Sequence, residues 1–152
     1  GPGEAVIETM HTLGRQGRKN GKGFYVYPED GSPKYLWPEL SAYFPVSATQ
    51  PTPAEVRERL FYRQLVETAR CFAEGVLETP EDGDLGAIFG WGFAPFTGGP
   101  FSAMDTIGIA EVVNRLDRLA QAHGERFAPP QLLRDMAERG ETFYGNAQRK
   151  AA

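Results

Sequence analysis

Residues with the means to do chemistry fall in three stretches. Residues 14–24 read GRQGRKNGKGF and set Arg15, Arg18, Lys19 and Lys22 among glycines. Backbone N–H groups of a glycine-rich turn with cations beside them are a common way to hold a phosphate. Residues 79–84 read TPEDGD and gather Glu81, Asp82 and Asp84, side chains suited to general acid–base work. Residues 90–101 read GWGFAPFTGGPF, a run of glycine, proline and aromatics that could cradle a ligand, close as a lid or join two helices, a joint being pinned into the core by Trp91, Phe93, Phe96 and Phe101.

Spacing removes most of these possibilities. A P-loop requires four residues between its first glycine and the Gly-Lys pair, then Ser or Thr. Here Gly17 and Gly21 enclose three, and Gly23 follows Lys22. A dinucleotide fingerprint fails too, because Pro95 stands where the third glycine after Gly90 and Gly92 belongs and no strand pattern precedes it. His11 and His123 have no Cys, His or acid at ligand spacing, so no metal site is expected. Cys71 beside Phe72 reads as a small hydrophobe on a helix rather than a nucleophile. No serine lies in a Gly-x-Ser-x-Gly elbow. The acids at 81, 82 and 84 follow Thr79-Pro80, and helix capping with the helix dipole accounts for all three without catalysis. The basic loop keeps two readings. It is an anion site built on Arg18, Lys19 and Lys22, or a solvated loop whose Phe24 and Tyr25 plug a core.

The elements that must position these residues are mainly helical. Residues 4–13 place Ala5, Val6, Thr9, Met10 and Leu13 at helical spacing. The glycine-rich excursion follows, with FYVY (24–27) and a turn of Asp, Gly, Ser and Pro predicting an extended, hairpin-like segment. Residues 37–44 suggest a short helix, and 45–53 form a linker by composition. Thr52-Pro53 with Glu55 predicts a capping box opening a long helix to about residue 78, with Val56, Leu60, Leu65, Ala69, Phe72 and Val76 along one stripe. Thr79-Pro80 opens a shorter helix to about Phe89. After GWGFAPFTGGPF come a helical turn near 101–108, a helix whose apolar face is Ile109, Val112, Val113, Leu116, Leu119 and Ala120, and a last helix closed by Gly140.

Composition limits the function classes. The 152 residues suffice for one domain with its own core. The formal charge of −4, from 20 acids and 16 bases mixed along the chain, offers no basic stripe for nucleic acid. No apolar run approaches the roughly 20 residues that span a bilayer. One cysteine excludes an internal disulfide framework and fits a reducing, cytoplasmic setting. The opening Gly-Pro-Gly, without an initiator Met, reads as a protease-trimmed tag remnant (1–3).

Three stretches together, GRKNGKGFYVY, Thr79 to Asp84 as Thr-Pro-x-x-x-Asp, and GWGFAPFTGGPFSAMDTIG, resemble the C-terminal region of 3-hydroxyacyl-CoA dehydrogenases. The likeness is closest to the multifunctional α-subunits of fatty-acid β-oxidation, which join an enoyl-CoA hydratase to the dehydrogenase. It implies a mainly α fold, the helical C-terminal-like domain, with a Gly/aromatic extended excursion near the N-terminus. Residues 4–44 would be the end of a first helical repeat and the excursion, 45–53 the linker, and 54–152 a second helical repeat. In such proteins NAD and the catalytic His-Glu pair sit in a Rossmann part, so this chain is expected to hold neither catalytic residues nor cofactor. The catalytic repeat carries Asn-Arg on its long helix where this chain has Glu58-Arg59, and a carboxylate there disfavours an anionic substrate. The resemblance thus implies a scaffold for the rest of a parent chain, with acyl-CoA as the parent's substrate, a thiolase subunit as a possible partner, and Arg18, Lys19 and Lys22 as contacts to CoA phosphates. The competing reading is a free-standing helical interaction module.

Overall fold

The computed structural model describes residues 2–145 and divides into two units, one up to Gln50 and one from Pro51. The first unit starts with α1 (Pro2–Thr12), which stops where Gly14 takes φ 66° and its N–H bonds back to the His11 carbonyl. The chain then closes a tight basic loop and pairs β1 (Tyr25–Val26) antiparallel with β2 (Tyr35–Leu36), Tyr25 opposite Leu36. A one-turn helix, α2 (Leu40–Tyr43), follows.

The buried apolar residues of this unit are Met10 and Trp37. The plug expected of Phe24 and Tyr25 is not made: they are 38% and 40% exposed. The buried aromatic is Trp37, which stacks on Tyr43 and receives the Arg15 guanidinium 3.8 Å above its ring. A two-residue strand is too short to bury one face, so its aromatics lie half in solvent. Gly23 is needed for contact: a Cβ there would meet the Gly17 Cα at 2.7 Å.

The second unit is all helix: α3 (Pro53–Ala73), α4 (Pro80–Trp91), α5 (Pro100–Ile107), α6 (Ile109–His123) and α7 (Gln131–Arg139). α3 opens on the expected capping box. The Thr52 hydroxyl accepts from the Glu55 N–H at 3.3 Å, and the Glu55 carboxylate accepts from the Thr52 N–H at 2.6 Å. Those bonds hold the Glu55 carboxyl below its ordinary range. The helix ends earlier than the apolar stripe suggested. Glycine at 75 adopts φ 74°, Gly75 N–H bonds to the Phe72 carbonyl and Val76 N–H to that of Cys71, a Schellman stop that leaves Val76 outside.

The stripe itself is half right. Leu65 and Ala69 are fully buried, but Leu60 is 63% exposed, because the first two turns of α3 run past the core and burial begins at Tyr62. α6 follows its pattern, burying Ile109, Val112, Val113, Leu116 and Leu119 against α3, α5 and α7. Phe101, Met104, Leu116, Leu133, Leu65 and Val66 fill the centre.

Candidate functional site

The densest polar constellation in the interior is built by GWGFAPFTGGPF and its neighbours, with Asp84 at its centre. Thr79 caps α4 as expected, accepting from the Asp82 N–H at 3.1 Å and donating to the Asp82 carboxylate at 2.7 Å. Asp84 departs from the capping role expected for it. It is 4% exposed, and its carboxylate reaches across to the start of α5. Oδ1 accepts from the Phe101 N–H at 2.7 Å; Oδ2 accepts from the Ser102 N–H at 3.1 Å, the Ser102 hydroxyl at 2.6 Å and the Tyr144 hydroxyl at 2.9 Å. The carboxylate therefore caps the next helix, not its own. The sequence carried a signal for this: α5 begins Gly99-Pro100 with no capping side chain of its own.

Glycine is required where the carboxylate passes. Gly99 has φ 114°, and a Cβ there would sit 2.4 Å from that of Asp84. A second carboxylate, Asp105, accepts the Phe143 and Tyr144 N–H groups at 2.8 and 2.9 Å, so the segment after α7 is held at two points. Phe143 packs edge-on to Phe101 with ring centres 4.5 Å apart. Burial first, and then the Asp84 carboxylate, push the Tyr144 hydroxyl well above the ordinary tyrosine range. Four donors around one anion make a lock, three on Oδ2 and the Phe101 N–H on Oδ1.

The aromatic anchors divide. Phe93 and Phe101 are buried as expected of a joint, whereas Trp91 is 61% and Phe96 91% exposed. Trp91 lies at the end of α4 and donates its indole N–H to Gln64 at 3.1 Å, bordering a groove of about 470 Å³ between α3 and α4 whose walls include Cys71, Val76, Leu77 and Ala87.

Arg18, Lys19 and Lys22 share one exposed loop, closed by Gly17 N–H to the Lys22 carbonyl at 2.7 Å and Lys22 N–H to the Gly17 carbonyl at 3.1 Å. Arg15 stands apart from them, its Nε donating to the Gly23 carbonyl at 2.8 Å. It lines the neighbouring cavity of about 410 Å³, a lining that does not include the three cations. Glu58 is held on the surface of the second unit, 3.0 Å from Arg115, which also pairs with Glu111 at 2.7 Å. A carboxylate clamping α3 to α6 is a packing device. His11 is exposed and His123 packs edge-on to Phe127. Among the described residues no group of three His, Cys, Asp or Glu could hold a metal.

Nor do the residues fit a dinucleotide. The sheet among the described residues is a two-stranded antiparallel pair, and the glycines at 92 and 98 end helical turns with φ 75° and 81° rather than linking a strand to a helix. No described helix is long and apolar enough to cross a membrane.

The second unit is a helical domain with a carboxylate-locked Gly/aromatic joint, and residues 56–150 match the family described as 3-hydroxyacyl-CoA dehydrogenase, C-terminal domain. The chain belongs to that family. It is similar to the fatty acid oxidation complex subunit alpha of Shewanella amazonensis, 47% identical over 143 residues. The match takes in 92% of this chain and 20% of that protein, so the chain spans one fifth of the relative's length.

Proposed function

We propose that this chain is the C-terminal helical portion of an NAD-dependent 3-hydroxyacyl-CoA dehydrogenase of fatty-acid β-oxidation, and that it serves as scaffold for the substrate domain of its parent chain without being catalytic alone. The observation that carries this is the 47% identity across nearly the whole chain to one fifth of a fatty acid oxidation α-subunit. The interior supports a structural role, since the buried carboxylate is consumed by hydrogen bonds and Glu58 by an ion pair. NAD would bind elsewhere in the parent, where it supplies the hydride acceptor; here the residues hold helices.

On this reading residues 4–44 complete a first helical repeat, 45–53 link, and 54–152 form the second. The first unit supports that division: with Met10 and Trp37 as its buried apolar residues, and Ile7, Tyr35, Leu36 and Val46 each more than half exposed, it has little core of its own. The parent would be cytoplasmic, would carry a hydratase part and would pair with a thiolase subunit. Arg18, Lys19 and Lys22, exposed on one closed loop, would meet the CoA phosphates. The test is an NADH-oxidation assay of the isolated chain with acetoacetyl-CoA. The rate expected is background, and turnover would overturn the scaffold assignment. Calorimetric titration of CoA into wild type and Lys22→Ala checks the loop: equal, negligible heats would remove those cations from the site.

A further inference from the structure

The groove between α3 and α4 contains two polar side chains that the fold leaves unused. Thr68 and Cys71 stand three residues apart on α3, on the face that lines it. Thr68 is 5% exposed, yet none of the side-chain hydrogen bonds among the described residues involves its hydroxyl. A helical threonine can bond the carbonyl one turn back, as Thr9 and Thr12 do, and a buried hydroxyl without a partner is destabilising. Cys71, the one cysteine of the chain, is partly exposed beside it. Leu77, Gly83, Gly86 and Ala87 make much of the remaining lining, apolar or without a side chain. Val76 and Trp91 also line the groove while 69% and 61% exposed, so it is open to solvent. A space of about 470 Å³ with apolar walls and few polar groups has the dimensions and chemistry of a small-molecule site.

We infer that this groove binds an uncharged single-chain amphiphile, such as a fatty alcohol or a long-chain ketone, its chain against the apolar walls and its oxygen hydrogen-bonded to the Thr68 hydroxyl. Charge selects against an anion. Of the charged residues lining the groove, Arg63 and Glu67 pair with each other and Asp82 remains. Arg70, on the next turn of α3, turns its guanidinium to the Glu125 and Ala128 carbonyls. Between Arg70 and Arg115 every charged residue is an acid, and Glu74, Glu78 and Glu81 are exposed. A carboxylate or phosphate head therefore enters a negative field. A cationic head is disfavoured for another reason: beside Thr68 and Cys71 it would be stripped of water, and the lining carboxylates are already engaged, Glu67 by Arg63 and Asp82 by the Thr79 hydroxyl. An apolar side chain from elsewhere in a parent protein would leave the Thr68 hydroxyl unpaired, which a ligand oxygen does not.

Titration of 1-octanol into the full chain tests this, read by Trp91 fluorescence and by the rate at which iodoacetamide alkylates Cys71. Trp37, the other tryptophan, lies in the first unit and serves as background. Octanol should change the fluorescence and protect the thiol with one dissociation constant, and from hexanol to octanol affinity should rise about two- to fourfold per CH₂. Octanoate and octylammonium should bind at least about tenfold more weakly than octanol, the octanoate gap narrowing at about 1 M salt. Thr68→Val should weaken octanol about threefold or more while the melting temperature stays equal or rises, because it removes a hydroxyl that has no partner in the free chain. The alkylation is repeated on the endogenous protein that contains this chain, with mass spectrometry of the peptide carrying Cys71, and octanol should protect the thiol there as well. Absence of protection overturns the inference. So does equal or tighter binding of either charged head, or a Cys71 that is unreactive in the endogenous protein, where another part of the molecule would then fill the groove. The inference does not rest on the dehydrogenase reading, whose activity assay involves none of these groups.

Discussion

Asp84→Asn offers the sharpest probe of the joint. The native carboxylate receives four hydrogen bonds, two from the first backbone N–H groups of α5, at 4% exposure. An asparagine keeps one acceptor oxygen. With that oxygen at Oδ2, its amino group faces the Phe101 N–H, donor against donor in a buried place, at a cost of about 1–3 kcal/mol. The three remaining bonds change from charge-assisted to neutral, losing about 1 kcal/mol each. A neutral amide costs less to bury than a carboxylate, which offsets part of this. The net is about 3 kcal/mol, or a fall in melting temperature of roughly 6–12 °C for a chain of this length. Thermal unfolding by circular dichroism reads it directly. A double-mutant cycle with Tyr144→Phe, itself expected to cost about 1 kcal/mol, should show coupling above about 0.5 kcal/mol. If Asp84→Asn melts within about 1 °C of wild type, the buried carboxylate does not hold the joint together.

Other expectations follow from the same contacts. Gly99→Val should cost about 3 kcal/mol or more, because φ 114° is left-handed and the new Cβ would collide with Asp84; urea unfolding measures it. Glu58→Gln should change stability by about 1 kcal/mol or less, as befits a solvent-screened pair, and a larger loss would mean that the clamp on Arg115 matters more than its exposure implies. The raised Tyr144 pKa has a defined sign: the folded chain keeps a proton that the unfolded chain gives up near pH 10, so its stabilisation is complete below pH 10 and is lost as pH rises above it. The stability gap between wild type and Tyr144→Phe should therefore narrow between about pH 9 and 11, and a constant gap would refute the bond to Asp84.

Much of the fold was legible because helix starts and stops are local. Thr52 and Thr79 with their prolines, and the glycines at 124 and 140, carry their reasons within three or four residues of sequence. The α6 face was legible because one helix buried on one side obeys a single period. What was not legible depended on contacts distant in sequence. Asp84 looks like a first-turn acid until α5 is folded against α4, eighteen residues on, and Phe96 looks like an anchor until its turn is seen to face outward. Phe24 was misjudged for the same reason: the buried ring is that of Trp37, with the Arg15 guanidinium over it. The use of Glu58 as an ion-pair partner required the position of Arg115 on another helix.

The central claim is that the chain works as the C-terminal part of a much longer dehydrogenase. Its relative's 143 matched residues are 20% of that protein, which scales to about 700 residues, and 16.8 kDa per 152 residues scales that to roughly 80 kDa. The most direct measurement is the mass of the endogenous protein captured with an antibody to this chain, taken together with its NADH-dependent reduction of acetoacetyl-CoA. The account predicts a single polypeptide near that larger mass, active in the assay. A captured protein close to the 16.8 kDa of this chain, or a long one without the activity, would contradict it.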